Sequence, residues 1–413
     1  MRILMGLAGP LILMGIAWAL SENRRAIRWR TILVAFALQA GLGALVLYVP
    51  LGQTLLLELS RGVQAVIDSA NAGISFLFGG LASERMQELF GSGGFVFVIR
   101  VLPVIVFLSS LISVLYYLGI MRWIIQFIGG ALHRLAGTSY SESMSASANI
   151  FVGQTEAPLV VRPFIERMTR SELFAVMVGG LASVAGATLA GYAALGVELK
   201  YLIAASFMAA PGGLLMAKLM VPETDTPEHH ERILKSDPDE PVANVIDAAA
   251  TGASDGVRLA LNVGGMLLAF ISLIALVNLI FGLVGGWLGY DDLTLQALLG
   301  YLFAPLAFLI GVPWQDAITA GSFIGQKIVL NEFVAFVQFT DQSGGLSEHT
   351  RAIITFALCG FANLSSIAIL MGGLGGMAPG RRHDIARLGM RAIIAGTLSN
   401  LMSASLAGLF IAL

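Results

Sequence analysis

A polar stretch interrupts an otherwise apolar sequence at residues 149–158, which read Asn-Ile-Phe-Val-Gly-Gln-Thr-Glu-Ala-Pro. Amide, hydroxyl and carboxylate groups in such a row can bind a polar solute or a small cation. Gly153 weakens a helix interior and Pro158 removes a backbone donor, so the stretch cannot be one continuous helix. Pro158 suits the first turn of a new helix, with Thr155 or Glu156 near its cap. The pattern predicts a helix, a broken polar tip and a second helix.

A second polar stretch begins with Phe-Ile-Gly-Gln at 323–326 and continues to Asn331 and Glu332. Each stretch is followed by an apolar segment that small polar residues interrupt, Gly-Leu-Ala-Ser-Val-Ala-Gly at 180–186 and Gly-Phe-Ala-Asn-Leu-Ser-Ser at 360–366. Short strings of this kind also recur by chance in helical bundles, but here their order is repeated as well. Because an odd number of predicted crossings separates the two stretches, the halves should face opposite ways. Inverted repeats with broken helices are typical of secondary transporters.

The composition is that of a membrane protein. Of the 413 residues, 57% are hydrophobic and 12% are charged, and the mean hydropathy is +0.83. Soluble domains are about 45–50% apolar and about 25% charged. Apolar runs long enough to span a bilayer recur from end to end, which predicts an all-α polytopic membrane protein with about eight transmembrane helices and two re-entrant hairpins. The expected location is the inner (cytoplasmic) membrane, with the lipid bilayer as the surrounding partner.

Enzyme and nucleic-acid functions have little support in the sequence. It contains no Gly-Lys-Ser/Thr phosphate loop, so ATP-driven pumping by this chain is not predicted, and no other enzyme activity is predicted either. The net charge is −2 and no basic patch is present, so we expect no nucleic-acid partner. His229 and His230 form a possible metal pair, but no further ligands keep a suitable spacing, and a surface pair is favoured.

Basic residues set the expected orientation. The loop at 21–30 carries four arginines and should be cytoplasmic, which places the N-terminus outside. The first apolar run, 3–20, resembles a signal peptide, but its positive charges follow the run, which favours a retained span. Residues 51–93 are less apolar and are predicted to form interfacial helices on the outer side. The remaining spans are expected at about 31–50, 95–120, 173–197, 201–220, 257–287, 352–371 and 392–413.

These segments predict a scaffold and a transport domain that alternate along the chain. The predicted regions are a mainly scaffold part at 1–137, a first transport repeat at 138–220 with its hairpin at about 139–164, a cytoplasmic loop and short interfacial helix at 221–256, a long scaffold span with the following segment at 257–311, and a second transport repeat at 312–413 with its hairpin at about 312–339.

Two carboxylates should lie at membrane depth. An ionised carboxylate at the bilayer centre costs about 2.5–3.5 kcal/mol, so Glu156 and Glu332 must face a cavity or partners. Alternatively, each caps a half-helix or pairs with a neighbour such as Lys327. Carboxylates accept hydrogen bonds, whereas the nearby amides and hydroxyls both donate and accept. With no arginine in the core of either repeat, these groups suit a neutral solute rich in hydroxyl and amide-like groups.

A second group of residues combines Asn149 and Ser183 with the backbone carbonyls of Val152 and Val184. Amide, hydroxyl and carbonyl oxygens are hard ligands that suit a small alkali cation. Capping of the broken helix ends is the alternative explanation for the same residues.

The sequences at 153–158 and 360–366, with Asn331 and Glu332 between them, resemble the signatures of the concentrative nucleoside transporter family. The similarity extends over the whole chain, in a short form typical of bacterial members. It implies a homotrimer in which each protomer has a fixed scaffold and an elevator-like transport domain. It also implies nucleobase contacts from Gln154, Thr155 and Glu156, ribose contacts from Glu332, Asn363 and Ser366 with Phe361 packing nearby, and a sodium site at Asn149, Val152, Ser183 and Val184.

One position departs from the family pattern. Gly186-Ala187-Thr188 stands where Gly-Ser-Val is expected, and Thr188 should lie near the base, so the choice between pyrimidine and purine stays open. We expect symport of a nucleoside, favouring uridine-like pyrimidine nucleosides, with one co-transported sodium ion. A proton-coupled nucleoside or nucleobase carrier is the closest alternative, with Glu156 or Glu332 carrying the proton. A channel is a more distant one.

Overall fold

The computed structural model describes residues 2–83, 85–90, 94–227, 242–289 and 293–413. Helices dominate this part of the chain and it contains no strand, which confirms the all-α prediction. Within it, seven helices are long and apolar enough to cross a membrane, or eight if one bent helix pair is counted as a span. His229 and His230 lie outside the described residues.

Eight of the described α-helices precede the first hairpin. They are α1 (Arg2–Ala19), α2 (Trp29–Leu47), α3 (Pro50–Asp68), α4 (Ala70–Phe78), α5 (Arg85–Phe90), α6 (Phe97–Arg100), α7 (Leu102–Tyr117) and α8 (Ile120–Ala136). The segment Pro50–Ala82 meets the length and apolarity required of a span, so interfacial helices at 51–93 stay a prediction. Helix α8 was not predicted; it lies between Gly119 and Gly137, whose φ angles of 77° and 66° interrupt the helical path at both ends.

The first polar stretch is a helix, a break and a second helix, as predicted. The first arm, α9 (Tyr140–Ala148), begins with a capping box in which Ser139 and Glu142 each bond the other's backbone nitrogen. The second arm is a 3₁₀ helix, Ala157–Arg167, with Pro158 in its first turn and Pro163 inside it. Pro163 removes a backbone donor inside the arm, which explains why this arm is not a regular α-helix.

The next helix of the first repeat is also broken where the sequence predicts. Helix α10 (Arg170–Ala182) and α11 (Gly186–Ala194) are separated by residues 183–185, and α12 (Leu199–Met220) completes the repeat. The start of α11, just after this break, contacts the break in the hairpin directly, because Gly186 N donates to Phe151 O over 2.9 Å.

The long helix α13 (Val245–Leu288) corrects one sequence prediction. We expected a short interfacial helix before a separate span beginning at 257, but a single helix of 44 residues covers both. Asn244 caps it by accepting from the backbone nitrogens of Ile246 and Asp247, and the alanine-rich turn that follows contains no residue that stops a helix.

The second repeat has the same order of elements as the first. Its helices, with the one before them, are α14 (Leu295–Leu309), α15 (Trp314–Val329), α16 (Glu332–Gln342), α17 (Glu348–Leu358), α18 (Ser366–Met377) and α19 (Arg382–Ala412). Helices α15 and α16 form the second hairpin, and α17 and α18 form the second broken helix, interrupted at 359–365. Helix α14 meets α15 at a bend of 115°.

The core lies where the two repeats meet. Helices α10, α12, α17 and α19 pack against one another, so each repeat contributes a broken helix and an unbroken one. In the most apolar segment of each helix, 94% of the residues are buried in α12 but only 11% in α13. Helix α13 therefore lies at the edge, where it packs mainly on α7 and where Gly256 allows close approach to Val106.

Candidate functional site

A cavity lies between the two hairpin tips, the two broken helices and α13. It holds about 720 Å³ of empty space, including the part that opens outward. All the side chains that the sequence analysis assigned to the substrate line it: Gln154, Thr155, Glu156, Thr188, Glu332, Phe361, Asn363 and Ser366. The fold thus brings together residues that are up to about half the chain apart.

Two hydrogen bonds hold the Glu332 carboxylate at the cavity. Glu332 is the first residue of α16, behind Asn331, whose side-chain oxygen caps the helix by accepting from Val334 N. Its Oε1 accepts from the Tyr192 hydroxyl over 3.1 Å, and its Oε2 accepts from Asn363 Nδ2 over 2.9 Å. A carboxylate at a helix N-terminus is also favoured by the helix dipole. Glu332 therefore combines a place in the first turn of α16 with a place at the cavity.

The second broken helix presents its polar residues on the same side. Ser366 begins α18, and its backbone nitrogen donates to Asn363 Oδ1 over 3.0 Å. Its hydroxyl donates to the carbonyl of Phe361 over 2.6 Å. The backbone nitrogen of Phe361 in turn donates to Ser183 O over 3.1 Å, which joins the two broken helices.

The tip of the first hairpin supplies acceptors. Gln154 Nε2 donates to Ser366 Oγ over 3.4 Å, while the buried Gln154 Oε1 has no protein partner. Thr155 Oγ1 donates to Glu156 Oε1 over 3.3 Å. Glu156 is exposed and lines the cavity. Gly373 lets α18 approach this tip, since a Cβ there would lie 2.6 Å from Thr155 Cγ2.

The opposite side of the cavity is apolar. It consists of Leu259, Val263, Met266 and Leu267, which recur along one face of α13. Sequence analysis did not single them out, because aliphatic residues in a long apolar helix look the same whether they face lipid or a cavity. Tyr192 was also missed, and only its place one helix turn beyond Thr188 hinted at a role.

The residues predicted to bind a cation meet behind the first hairpin tip. Asn149 and Ser183 are both buried. A Cβ added at Gly179, one turn before Ser183, would lie 3.1 Å from Asn149 Nδ2, so Asn149 packs against the end of α10. Asn149 Nδ2 donates to Ser145 O over 2.9 Å, which leaves its Oδ1 buried without a partner. Val152 and Val184 are buried in the two adjoining breaks. An unpartnered amide oxygen between two helix breaks fits an alkali cation.

Lys327 forms no hydrogen bond or ion pair with either carboxylate, contrary to one alternative that the sequence left open. Its Nζ donates instead to Ala357 O over 2.9 Å and to Asn400 Oδ1 over 2.6 Å. The lysine lies in the last turn of α15 and points toward the end of α17, away from the cavity lining. Among the described residues there is also no cluster of three or more His, Cys, Asp and Glu side chains that could hold a metal ion.

Comparison with known sequences identifies the family. The model "Na+ dependent nucleoside transporter C-terminus" matches residues 201–408, "Na+ dependent nucleoside transporter N-terminus" matches 8–81, and "Nucleoside recognition" matches 98–198. The chain is 54% identical over 415 residues to the nucleoside permease NupC of Helicobacter pylori, covering 99% of this chain and 98% of that protein. The chain belongs to the concentrative nucleoside transporter family.

Solved structures agree with this assignment. A variant of the transporter CNTnw in an outward-facing state is 60% identical, with a TM-score of 0.98, over 100% of this chain and 99% of that one. CNTnw in an inward-facing, substrate-bound state is also 60% identical, with a TM-score of 0.95, over 99% and 98%. This concentrative nucleoside transporter is therefore a multi-pass membrane carrier with alternating access, and it is not an enzyme.

Proposed function

We propose that this transporter imports nucleosides, foremost uridine-like pyrimidine nucleosides, by symport with one sodium ion. The observation that carries the proposal is the Glu332 carboxylate, which two buried donors hold at the cavity opposite the unpartnered Gln154 Oε1. A nucleoside has sugar hydroxyls that donate to carboxylates and a base whose ring N–H groups do the same. The cavity offers acceptors at both ends.

The ribose belongs beside Glu332, Asn363 and Ser366, with Phe361 packing against it, because these groups lie together on the second repeat. The base belongs at the tip of the first hairpin. There Gln154 can donate and accept in the plane of the ring, and Glu156 can accept from a ring N–H. The apolar face of α13 covers the side of the bound nucleoside that carries few polar groups.

Thr188 is the residue that we propose for base preference. It is buried at the cavity wall, in the first turn of α11. Its methyl group limits the space beside the base, and its hydroxyl offers one more hydrogen bond. The limited space favours a single-ring pyrimidine over a larger purine at this wall.

Sodium is proposed to bind first, at Asn149, Val152, Ser183 and Val184. Binding there would fix the first hairpin tip against the break after α10, which the Gly186–Phe151 backbone bond already joins. Gln154 and Glu156 would then be preorganised for the base. One charge that moves through 100 mV yields about 2.3 kcal/mol, which corresponds to roughly fifty-fold accumulation.

Alternating access is proposed to occur by an elevator movement in a homotrimer, with the N-terminus outside, in the inner membrane. The wall from α13 supports this movement, since its cavity-lining residues are all aliphatic or methionine. The polar half of the site can move past such a wall without breaking hydrogen bonds. The division into scaffold and transport parts stays the one predicted from the sequence.

Competition experiments test the substrate assignment. Uptake of labelled uridine into proteoliposomes should be inhibited by unlabelled uridine and more weakly by 2′-deoxyuridine, because each lost hydroxyl leaves a buried group unpaired at about 1–3 kcal/mol. Uracil should inhibit least, since it lacks the ribose. Inhibition by uracil as strong as that by uridine would indicate a nucleobase carrier, and stronger inhibition by adenosine would overturn the pyrimidine preference.

A further inference from the structure

The two repeats share one backbone hydrogen bond between hairpin and broken helix, and this bond aligns the two hairpins. In the first repeat Gly186 N donates to Phe151 O over 2.9 Å. In the second, Leu364 N donates to Ile328 O over 3.1 Å. Each bond joins a hairpin to the broken helix that follows it, at the start of its second half or just before it. Phe151 therefore corresponds to Ile328.

This register places Gln326 where the first repeat has Asn149. Both amide nitrogens donate to a serine four residues earlier, Asn149 to Ser145 O over 2.9 Å and Gln326 to Ser322 Oγ over 3.0 Å. Both side chains also keep a buried oxygen that has no protein partner. The second repeat thus retains part of the group of residues that forms the proposed sodium site in the first.

Two differences remove cation binding from the second repeat. The residue after the first half of the broken helix is Ser183 in one repeat and Cys359 in the other, and a thiol is a poor ligand for a hard alkali cation. The neighbour of Gln326 is Lys327, whose Nζ donates to Ala357 O and Asn400 Oδ1. The lysine is 1% exposed, and both of these partners are neutral oxygens.

Asn400 links this ammonium group to both broken helices. Its Nδ2 donates to Ala182 O over 2.6 Å and to Cys359 O over 3.0 Å, at the ends of α10 and α17. Unpaired carbonyls at a helix C-terminus carry partial negative charge and attract cations. The Lys327 ammonium therefore occupies an oxygen-lined place at a helix break, as the sodium ion is proposed to do in the other repeat.

We propose that Lys327 is a tethered cation, which performs in the second hairpin the positioning that the transported sodium ion performs in the first. The proposal rests on the sodium coupling proposed above. A tethered charge returns with the protein in every cycle and contributes nothing to the net charge moved. The chain thereby orders both hairpins while it transports a single ion, and Lys327 is a positioning residue that does not contact the nucleoside.

Substitution of Lys327 tests this role. Lys327→Met keeps the length of the side chain but leaves Asn400 Oδ1 and Ala357 O free for a mobile ion. For this variant we expect the half-saturating sodium concentration to rise at least about fivefold and the Hill coefficient for sodium to move from about 1 toward about 2. Lys327→Arg keeps the charge and should retain a Hill coefficient of about 1, and Cys359→Ser, with the ammonium still present, should do the same.

Measurement of the charge moved per nucleoside tests the proposal without a variant. The reversal potential of wild-type proteoliposomes should correspond to about one elementary charge per nucleoside, and a value of about two would overturn the proposal. A folded Lys327→Met variant with the sodium dependence of the wild type would also overturn it. Wild-type uptake that does not depend on sodium would instead contradict the proposed sodium coupling. Failure of the Lys327 proposal and failure of the sodium coupling are therefore distinguishable.

Discussion

Asn363 donates through Nδ2 to Glu332 Oε2 over 2.9 Å, and this bond joins the broken helix of the second repeat to the tip of its hairpin. The same amide accepts from Ser366 N through its oxygen, so its orientation is fixed by both ends. One carboxylate oxygen is thus fixed by the broken helix, and the other is fixed by Tyr192 of the first repeat. The position of the Glu332 carboxylate therefore depends on the placement of both repeats around the cavity.

Replacement of this carboxylate should abolish transport. In Glu332→Ala the ribose loses its acceptor, and the Tyr192 and Asn363 donors are left buried and unpaired. Hydrogen bonds to charged groups contribute about 1.5–3 kcal/mol each, so uptake should fall at least about a hundredfold. Uridine uptake into proteoliposomes measures this, with size-exclusion profiles to show that the assembly is retained. Glu348→Ala, at an exposed carboxylate, is the control, and near-normal uptake by Glu332→Ala would remove that residue from the site.

Tyr192→Phe should weaken nucleoside binding without blocking it. The hydroxyl donates to Glu332 Oε1 while the ring packs on Phe333 and Phe336, and phenylalanine keeps that packing. Loss of this hydrogen bond to a carboxylate, about 1.5–3 kcal/mol, should raise KM roughly ten- to a hundredfold. The matched control is Tyr117→Phe, at an exposed position. Equal effects of the two substitutions would contradict the role of Tyr192 in orienting Glu332.

The cation site should respond to the loss of its side-chain oxygens. Asn149→Leu combined with Ser183→Ala removes the unpartnered amide oxygen and the hydroxyl, which leaves only backbone carbonyls. We expect at least about a tenfold rise in the half-saturating sodium concentration for uridine uptake, a coupling change of about 1.4 kcal/mol. Ser272→Ala is a suitable control because Ser272 also donates to the carbonyl four residues earlier, but on an exposed helix face. An unchanged sodium curve would place the ion elsewhere or favour protons.

Much of this site was predictable because its residues interrupt the pattern around them. Gly153, Pro158 and the polar run at 360–366 stand out in an apolar chain, and the breaks in the structure occur there. Tyr192 and Asn400 were not predictable in the same way. Each lies inside an otherwise regular helix, and its partner is far away in the sequence, so only the folded chain shows what its polar group bonds.

The helix boundaries show a similar limit. The prediction of two separate helices in place of α13 was wrong. It took the polar residues near Asp255 as the end of an interfacial helix, whereas one continuous helix contains that residue. The arginines at 24, 25 and 28 lie between α1 and α2, as predicted, but Arg30 belongs to α2. The sequence also did not indicate that Glu22 bonds Arg170 of α10. Long-range pairs of this kind depend on how helices pack, and local pattern does not encode that.

The Glu22 contact predicts a pH dependence of stability. Its hydrogen bonds from Arg170, at 2.9 and 3.1 Å, hold the pKa of Glu22 below its ordinary value of 4.5. Because the pKa is lowered in the folded state, the stabilisation is present above pH 4.5 and is lost as the pH falls through the folded-state pKa. Since the pair is partly exposed, its contribution should not exceed about 1 kcal/mol.

Thermal unfolding in detergent at two pH values measures this contribution. Glu22→Gln should unfold at a slightly lower temperature than the wild type near neutral pH, and the difference should vanish in acid. A difference that persists unchanged at acidic pH would show that the carboxylate charge is not its source. The exposed Glu58, paired with Arg61 in one helix, provides a control in Glu58→Gln.

The most direct test of the proposed mechanism is labelled-uridine uptake into proteoliposomes with sodium and proton gradients imposed separately. An inward sodium gradient with a negative interior should drive uridine transiently above its external concentration, and a proton gradient alone should not. Accumulation driven by protons in the absence of sodium, or uridine flux that never exceeds equilibrium under either gradient, would contradict sodium-coupled symport.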